Sequence, residues 1–258
     1  MKGASLALLL SVVSLDAYAV GRLADVQIVD RDTGAILTPY RHRGEYWVAG
    51  RPGGRYAISL RNQRGERLLA VTSVDGINVI SGETGAWNQR GYVFEPGENY
   101  EIAGWRKSDQ EIAAFEFTAA PQSYAERTGR PANVGVIGVA LFLERPEPII
   151  NAPAYAPRPE ESNARDAQRG IAAPAAPGAS RSAPMKLGTG HGDRETSFVQ
   201  STRFNRLTSS PNEVIRIRYD SFDNLAAMGI VHPNAFSHPN PFPESDVSQY
   251  VPDPPGGG

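Results

Sequence analysis

The chain contains no cysteine. That excludes disulfides, thiolate metal sites, cysteine nucleophiles and an N-terminal cysteine lipid anchor. Positive charge is not concentrated either: 26 Lys and Arg face 28 Asp and Glu, for a formal net charge of −2. The basic residues are mostly Arg and scattered. They form no stripe of the kind a phosphate backbone needs, so nucleic acid is not an expected partner. The four histidines, His42, His191, His232 and His238, have no metal-ligand spacing. HExxH, GxSxG and the nucleotide-loop glycine patterns are all missing, so no catalytic residue, metal ligand or cofactor is predicted. A Ser–His–Asp site is assembled in space and would leave no such signature.

Long apolar runs are scarce. One opens the chain, at residues 4–15, and it falls short of the roughly 20 residues a membrane-spanning helix needs. Lys2 before it and Ala17-Tyr18-Ala19 after it give the pattern of a secretory signal peptide, although Asp16 is unusual in that position. The mature chain is expected to begin at Val20, to lie in the periplasm or outside the cell, and to have no membrane span.

Glycine and proline are plentiful (26 and 21), which suits an all-β protein rich in turns. Its central element is VGVIGVALFL at residues 134–143, an uncharged run rich in Val and Ile that reads as a strand buried on both faces. Gly135 and Gly138 would each weaken a helix by about 1 kcal/mol relative to Ala. Before it, residues 22–145 alternate and turn like an antiparallel β-sandwich. Ala24, Val26 and Ile28 alternate with Asp25 and Gln27. Residues 45–49 form a short aromatic strand, and residues 55–74 read as a hairpin. Asp75-Gly76 signals a turn, and Glu95-Pro96-Gly97-Glu98 suits a type II turn. A second hairpin is expected across Lys107-Ser108-Asp109, and a helical turn or two at residues 123–128. Turns recur every 8–12 residues, as in sandwiches.

Residues 146–184, rich in Ala and Pro with few large apolar side chains, read as a disordered linker. Residues 232–258 read as a disordered Pro/Gly tail. Between them, residues 185–231 form an island expected to be a small β-hairpin module. Residues 214–219 alternate, with Ile215, Ile217 and Tyr219 on one face and Arg216 and Arg218 on the other, and residues 225–231 return. The chain therefore divides into a signal peptide (1–19), a β-sandwich domain (20–145), the linker, the hairpin module and the tail.

Two loops invite a chemical reading. Gly188-Thr189-Gly190-His191-Gly192 is made of small residues, as in anion-cradling loops, but lacks a following helix and is expected to be a flexible entry to the hairpin. Asp30-Arg31-Asp32-Thr33-Gly34 starts like a calcium loop but lacks the later acidic ligands, and is expected to be an ordinary turn. Among the aromatics, Trp87 sits in a polar loop and Trp105 ends a strand on the face opposite Tyr100 and Ile102. Trp87, Arg90, Trp105 and Arg106 are the candidate ligand- or partner-binding residues.

VTSVDGINVISG at residues 71–82, together with Gly91-Tyr92-Val93, IAGWR at residues 102–106 and NVGVIGV at residues 133–139, resembles a group of exported bacterial proteins. The resemblance covers roughly residues 55–145. It implies a discrete β-sandwich domain in the bacterial envelope, and the group carries no assigned activity to transfer. The resulting expectation is an exported, non-enzymatic binding or structural module contacting an envelope protein. Its alternatives are a carbohydrate-binding module using Trp87 and Trp105, and a hydrolase.

Overall fold

The computed structural model describes residues 20–146 and 185–232. The expected signal peptide, all but the first residue of the linker, and all but the first residue of the tail lie outside the described residues. In chain order the strands begin with β1 (Ala24–Asp30), β2 (Tyr40–His42), β3 (Glu45–Gly50), β4 (Arg55–Asn62) and β5 (Leu68–Val74). Then come β6 (Ile77–Asn78), β7 (Tyr92–Phe94), β8 (Asn99–Ile102), β9 (Gly104–Arg106) and β10 (Glu111–Ala119). Helix α1 (Tyr124–Arg127) precedes β11 (Val136–Leu143), and β12 (Leu187–Thr196), β13 (Glu213–Ser221) and helix α2 (Phe222–Ala227) complete the order.

These strands make two sheets. The first runs β1-β4-β10-β12, with β8 paired to β4 and β9 to β10; the second runs β2-β3-β13-β11-β5-β6, with β7 paired to β5. The all-β, two-sheet architecture expected from the alternation is therefore present. The apolar run forms β11, flanked by β5 on one side and β13 on the other. Its inward residues Ile137, Val139 and Leu141 are almost fully buried. They meet Val26, Ile28, Tyr56, Ile58 and Phe115 of the opposite sheet in one core cluster.

Two expected pairings are corrected. Residues 55–74 are not a hairpin, because β4 belongs to the first sheet and β5 to the second. Asn62 redirects the chain between them. It is buried, its side-chain amide donates to the carbonyls of Glu66, Phe94 and Glu95, and its oxygen accepts from Arg64 N. A corner with its polar groups satisfied this way can cross between sheets without stranding them. In the second expected hairpin, β9 does pair with β10, but the chain breaks at Ala103 and β8 pairs with β4 instead.

The island at residues 185–231 is not a hairpin module either. β12 lies along β10 in the first sheet, while β13 enters the second sheet between β3 and β11, parallel to the former and antiparallel to the latter. Residues 222–227, expected to be the end of a turn and, from Leu225, the start of the return strand, are helix α2, whose N-cap Ser221 accepts from Asn224 N. The Gly188–Gly192 stretch is strand rather than loop. A Cβ at Gly188 would come within 2.5 Å of Ser123 Cβ, so here glycine supplies room for a neighbour rather than mobility or an anion cradle. The Asp30–Gly34 segment is an ordinary turn: Asp30 Oδ1 accepts from the amides of Asp32 and Thr33, and Asp32 pairs with Arg51 and Arg55.

A buried polar chain joins the late strands to the early ones. Asp75 and Gly76, at φ 53° and 76°, make the two-residue turn between β5 and β6, in the positive-φ geometry that tight hairpins require. The Asp75 carboxylate accepts from Gly135 N at 2.8 Å, from Thr189 N at 2.8 Å and from the Tyr219 hydroxyl. The Thr189 hydroxyl lies 2.7 Å from Tyr219 Oη and 2.6 Å from Tyr56 Oη. Since Tyr219 donates to Asp75, Thr189 donates to Tyr219 and Tyr56 donates to Thr189. Burial raises the Asp75 carboxyl above its ordinary pKa, against the hydrogen bonds that lower it, and raises both tyrosines well above theirs. Asp220 plays a matching part, accepting from Leu187 N at 3.1 Å and Asn224 Nδ2 at 2.7 Å. Two carboxylates from the second sheet thus satisfy two amides, Leu187 N and Thr189 N, on the free edge of β12.

Candidate functional site

The outer face of the second sheet is built from the residues that alternate with its core side chains. Across β13, β11 and β5, Arg216 stands opposite Gly138 and Gly138 opposite Ser73; one step along, Val214, Ala140 and Val71 line up. Small side chains in the middle columns leave a trough of about 250 Å³. A Cβ at Gly138 would meet Ser73 Oγ at 2.9 Å, so a side chain there would turn that hydroxyl aside and fill the trough floor.

One wall of the trough is the loop after β6. Trp87 stands on it 53% exposed, the largest side chain facing solvent in this region. The loop is pinned: Gln89 bonds to Ala86 N and to the Thr84 carbonyl, and Arg206 donates to the carbonyls of Trp87 and Gln89 at 2.6 and 2.7 Å. The Arg206 guanidinium in turn lies 4.4 Å over the Phe142 ring. The other wall is Val214 and Arg216. Arg216 is exposed and, among the described residues, its guanidinium has no hydrogen-bond, ion-pair or ring partner, whereas neighbouring Arg218 pairs with Glu45 at 2.9 Å and lies over Trp47. Past Val136, Val214 and Arg216 the trough opens into a second hollow of about 430 Å³ beside Tyr46 and Arg218.

The four residues singled out from the sequence fall in three places. Trp87 lines the trough. Arg90 and Arg106 line a separate cleft of about 520 Å³ beside Tyr92, Tyr100 and Phe198. Arg90 is exposed there, but Arg106 is committed to structure: it donates to the Ser197 carbonyl at 2.6 Å and to the Tyr92 hydroxyl at 3.2 Å, holding the segment after β12 in place. Trp105 is corrected outright. It is 2% exposed, and its indole N–H donates to the Gly190 carbonyl at 3.0 Å. The break at Ala103 resets the alternation, so Ile102 and Trp105 both face inward despite their odd spacing. Trp87 and Trp105 therefore form no exposed aromatic pair.

Sequence reasoning passed over Arg216 and Gly138. Arg216 had a signal, since it alternates with Ile215 and Ile217; what marks it is the absence of a partner, which only neighbouring strands reveal. Among the described residues no group of three or more His, Asp or Glu side chains is placed to share a metal ion. The arrangement can stack, pair with a negative charge and accept an extended segment in its trough.

Fold and face together define a two-sheet all-β protein with one open, aromatic-walled sheet face. No protein-family model, curated protein or solved structure matches the chain.

Proposed function

We propose that this protein is an exported, non-enzymatic binding module of the bacterial envelope that holds a protein partner against the outer face of its second sheet. The observation that carries the reading is Trp87 on one wall of the trough and unpaired Arg216 on the other, above a floor of Gly138, Ala140 and Ser73. Trp and Arg are the side chains that most often dominate protein interfaces. The trough lies between these two side chains, which suits a partner segment carrying an apolar group for Trp87 and a carboxylate for Arg216. Export rests on the signal-peptide pattern of residues 1–19 and on the resemblance to exported proteins. The carbohydrate reading lost its aromatic pair when Trp105 proved buried, and no observation favours a hydrolase.

The test is capture from envelope extract on the immobilised mature chain, comparing wild type with Trp87→Ala and Arg216→Ala. A hot-spot truncation costs about 2 kcal/mol or more, so each variant should retain a small fraction of the partner that wild type retains. Equal recovery on all three would overturn the assignment of this face.

A further inference from the structure

The chain leaves the described fold close to the trough. Helix α2 packs against β13 and β3, and the Val231 amide donates back to the Leu225 carbonyl at 3.4 Å with the Val231 side chain buried. His232 is thereby held at the Ser221 end of β13. Arg216 stands five residues earlier on that strand, about 17 Å away at the rise of a strand. β5, on the far side of the trough, lies two strand spacings from β13, about 10 Å. The residues after His232 therefore start within a short span of both walls.

What they carry matches what the trough presents. Residues 233–258 hold three carboxylates, Glu244, Asp246 and Asp253, and neither Lys nor Arg, whereas residues 147–184 hold four charges of each sign. Glu45 and Glu213, which share the second hollow with Arg216, are already engaged: Glu45 pairs with Arg218, and Glu213 accepts the amides of Arg22 and Leu23. On the loop that carries Trp87, Glu83 accepts from Gln89. The cleft beside Arg90 suits an acidic segment less well, because Glu98 and Asp109 share its lining. After His232, an aromatic side chain and a carboxylate first come together at Phe242-Pro243-Glu244. Ten residues of extended chain span up to about 33 Å, enough to bring Phe242 to Trp87.

We propose that Phe242-Pro243-Glu244 of this same chain occupies the trough, with Phe242 against Trp87 and Glu244 paired with Arg216, so that a partner must displace it. The inference rests on the reading of the trough as the binding face and adds its regulation. A tethered segment meets its site at an effective concentration in the millimolar range. Even a weak contact then keeps part of the trough filled, and the apparent affinity for a partner falls in proportion to the fraction left open.

The chain has no cysteine, so Ser248→Cys carries a single nitroxide label four residues past Glu244. In the mature full chain, the expected result is loss of the Gly138 and Ala140 amide signals and of the Trp87 indole signal by paramagnetic broadening, unchanged on dilution. Phe242→Ser with Glu244→Gln should restore them. The proposal is overturned by any of four results: loss centred on Tyr100 and Phe198, no site-specific loss, the same loss in the double variant, or loss arising only between a labelled chain and an unlabelled, isotope-enriched copy. Partner capture separates this inference from the reading beneath it. Where Trp87→Ala loses the partner, the double variant should retain several-fold more of it than wild type, and equal retention would overturn the competition. Absent broadening with capture still lost in Trp87→Ala removes the tail contact and leaves the binding face standing. Broadening at the trough with full capture by Trp87→Ala does the reverse.

Discussion

β12 and β13 come from one short stretch of chain and settle into opposite surroundings. β12 is glycine-rich and lies at the edge of its sheet, where its value is the space it leaves: Ser123 and Val134 press against Gly188, and Thr118 approaches the Cβ position of Gly190 at 3.3 Å. β13 is the reverse. Its Ile215, Ile217 and Tyr219 fill the core of a central strand while Val214, Arg216 and Arg218 face out. Edge amides are a liability in any sheet, and on β12 the carboxylates of Asp75 and Asp220 answer it. An edge strand is thus defined by what its neighbours need, and a central strand by what it buries.

The contrast is broken most severely in β13. Ile217→Asp puts an unpaired charge into the core and is expected to cost more than about 4 kcal/mol, abolishing a cooperative thermal transition. Val214→Asp, on the open face of the same strand, should stay within about 0.5 kcal/mol of wild type by urea unfolding. On β12, Gly188→Val forces side-chain carbon against Ser123, and about 1–3 kcal/mol of destabilisation is expected from overpacking. Tyr219→Phe removes one of the two donors to Asp75 Oδ1, which keeps Gly135 N, and takes away the oxygen to which the buried Thr189 hydroxyl donates. A loss of about 1–3 kcal/mol in the same urea measurement is expected.

Asp75 sharpens the comparison through pH. Its folded pKa lies above the unfolded value near 3.8, so the folded state holds this proton more tightly. The stability it contributes is complete below the unfolded pKa and is lost as pH rises through the raised folded pKa. Wild type should therefore lose stability relative to Asp75→Asn as pH climbs through that window, which melts of both proteins at a series of pH values would show. A constant difference across the window would mean that the carboxyl is not perturbed. The smallest structural effect belongs to Trp87→Ala. With its ring in solvent, the melting curve should match wild type while partner capture falls.

Much of the strand content was legible in advance. β1, β3, β4, β5, β10, β11 and β13 all lie where alternation or an apolar run placed them, and Asp75-Gly76 and Pro96-Gly97 turn where their chemistry says they should. The candidate site was legible only in part. Trp87 stood in a polar loop and is exposed, but Trp105 was assigned to the wrong face because a one-residue break between β8 and β9 reverses parity, and a single Ala gives no warning of it. The trough was invisible because it needs Gly138, Ser73 and Arg216 from three strands that pair across the chain.

What the amino-acid sequence determined by itself is local: which segments extend, which face of each is apolar, where the backbone reverses, and that thiol and disulfide chemistry has no place in this chain. Those properties follow from side-chain periodicity and from the φ preferences of Gly, Pro and Asp, which act over a few residues. Which strands pair was decided only in three dimensions. Backbone N–H and C=O groups are the same in every strand, so β4 and β5 could separate into different sheets and β13 could insert between β3 and β11. The choice fell to packing and to the few polar groups, Asn62, Asp75 and Asp220, that a wrong pairing would have left buried without partners.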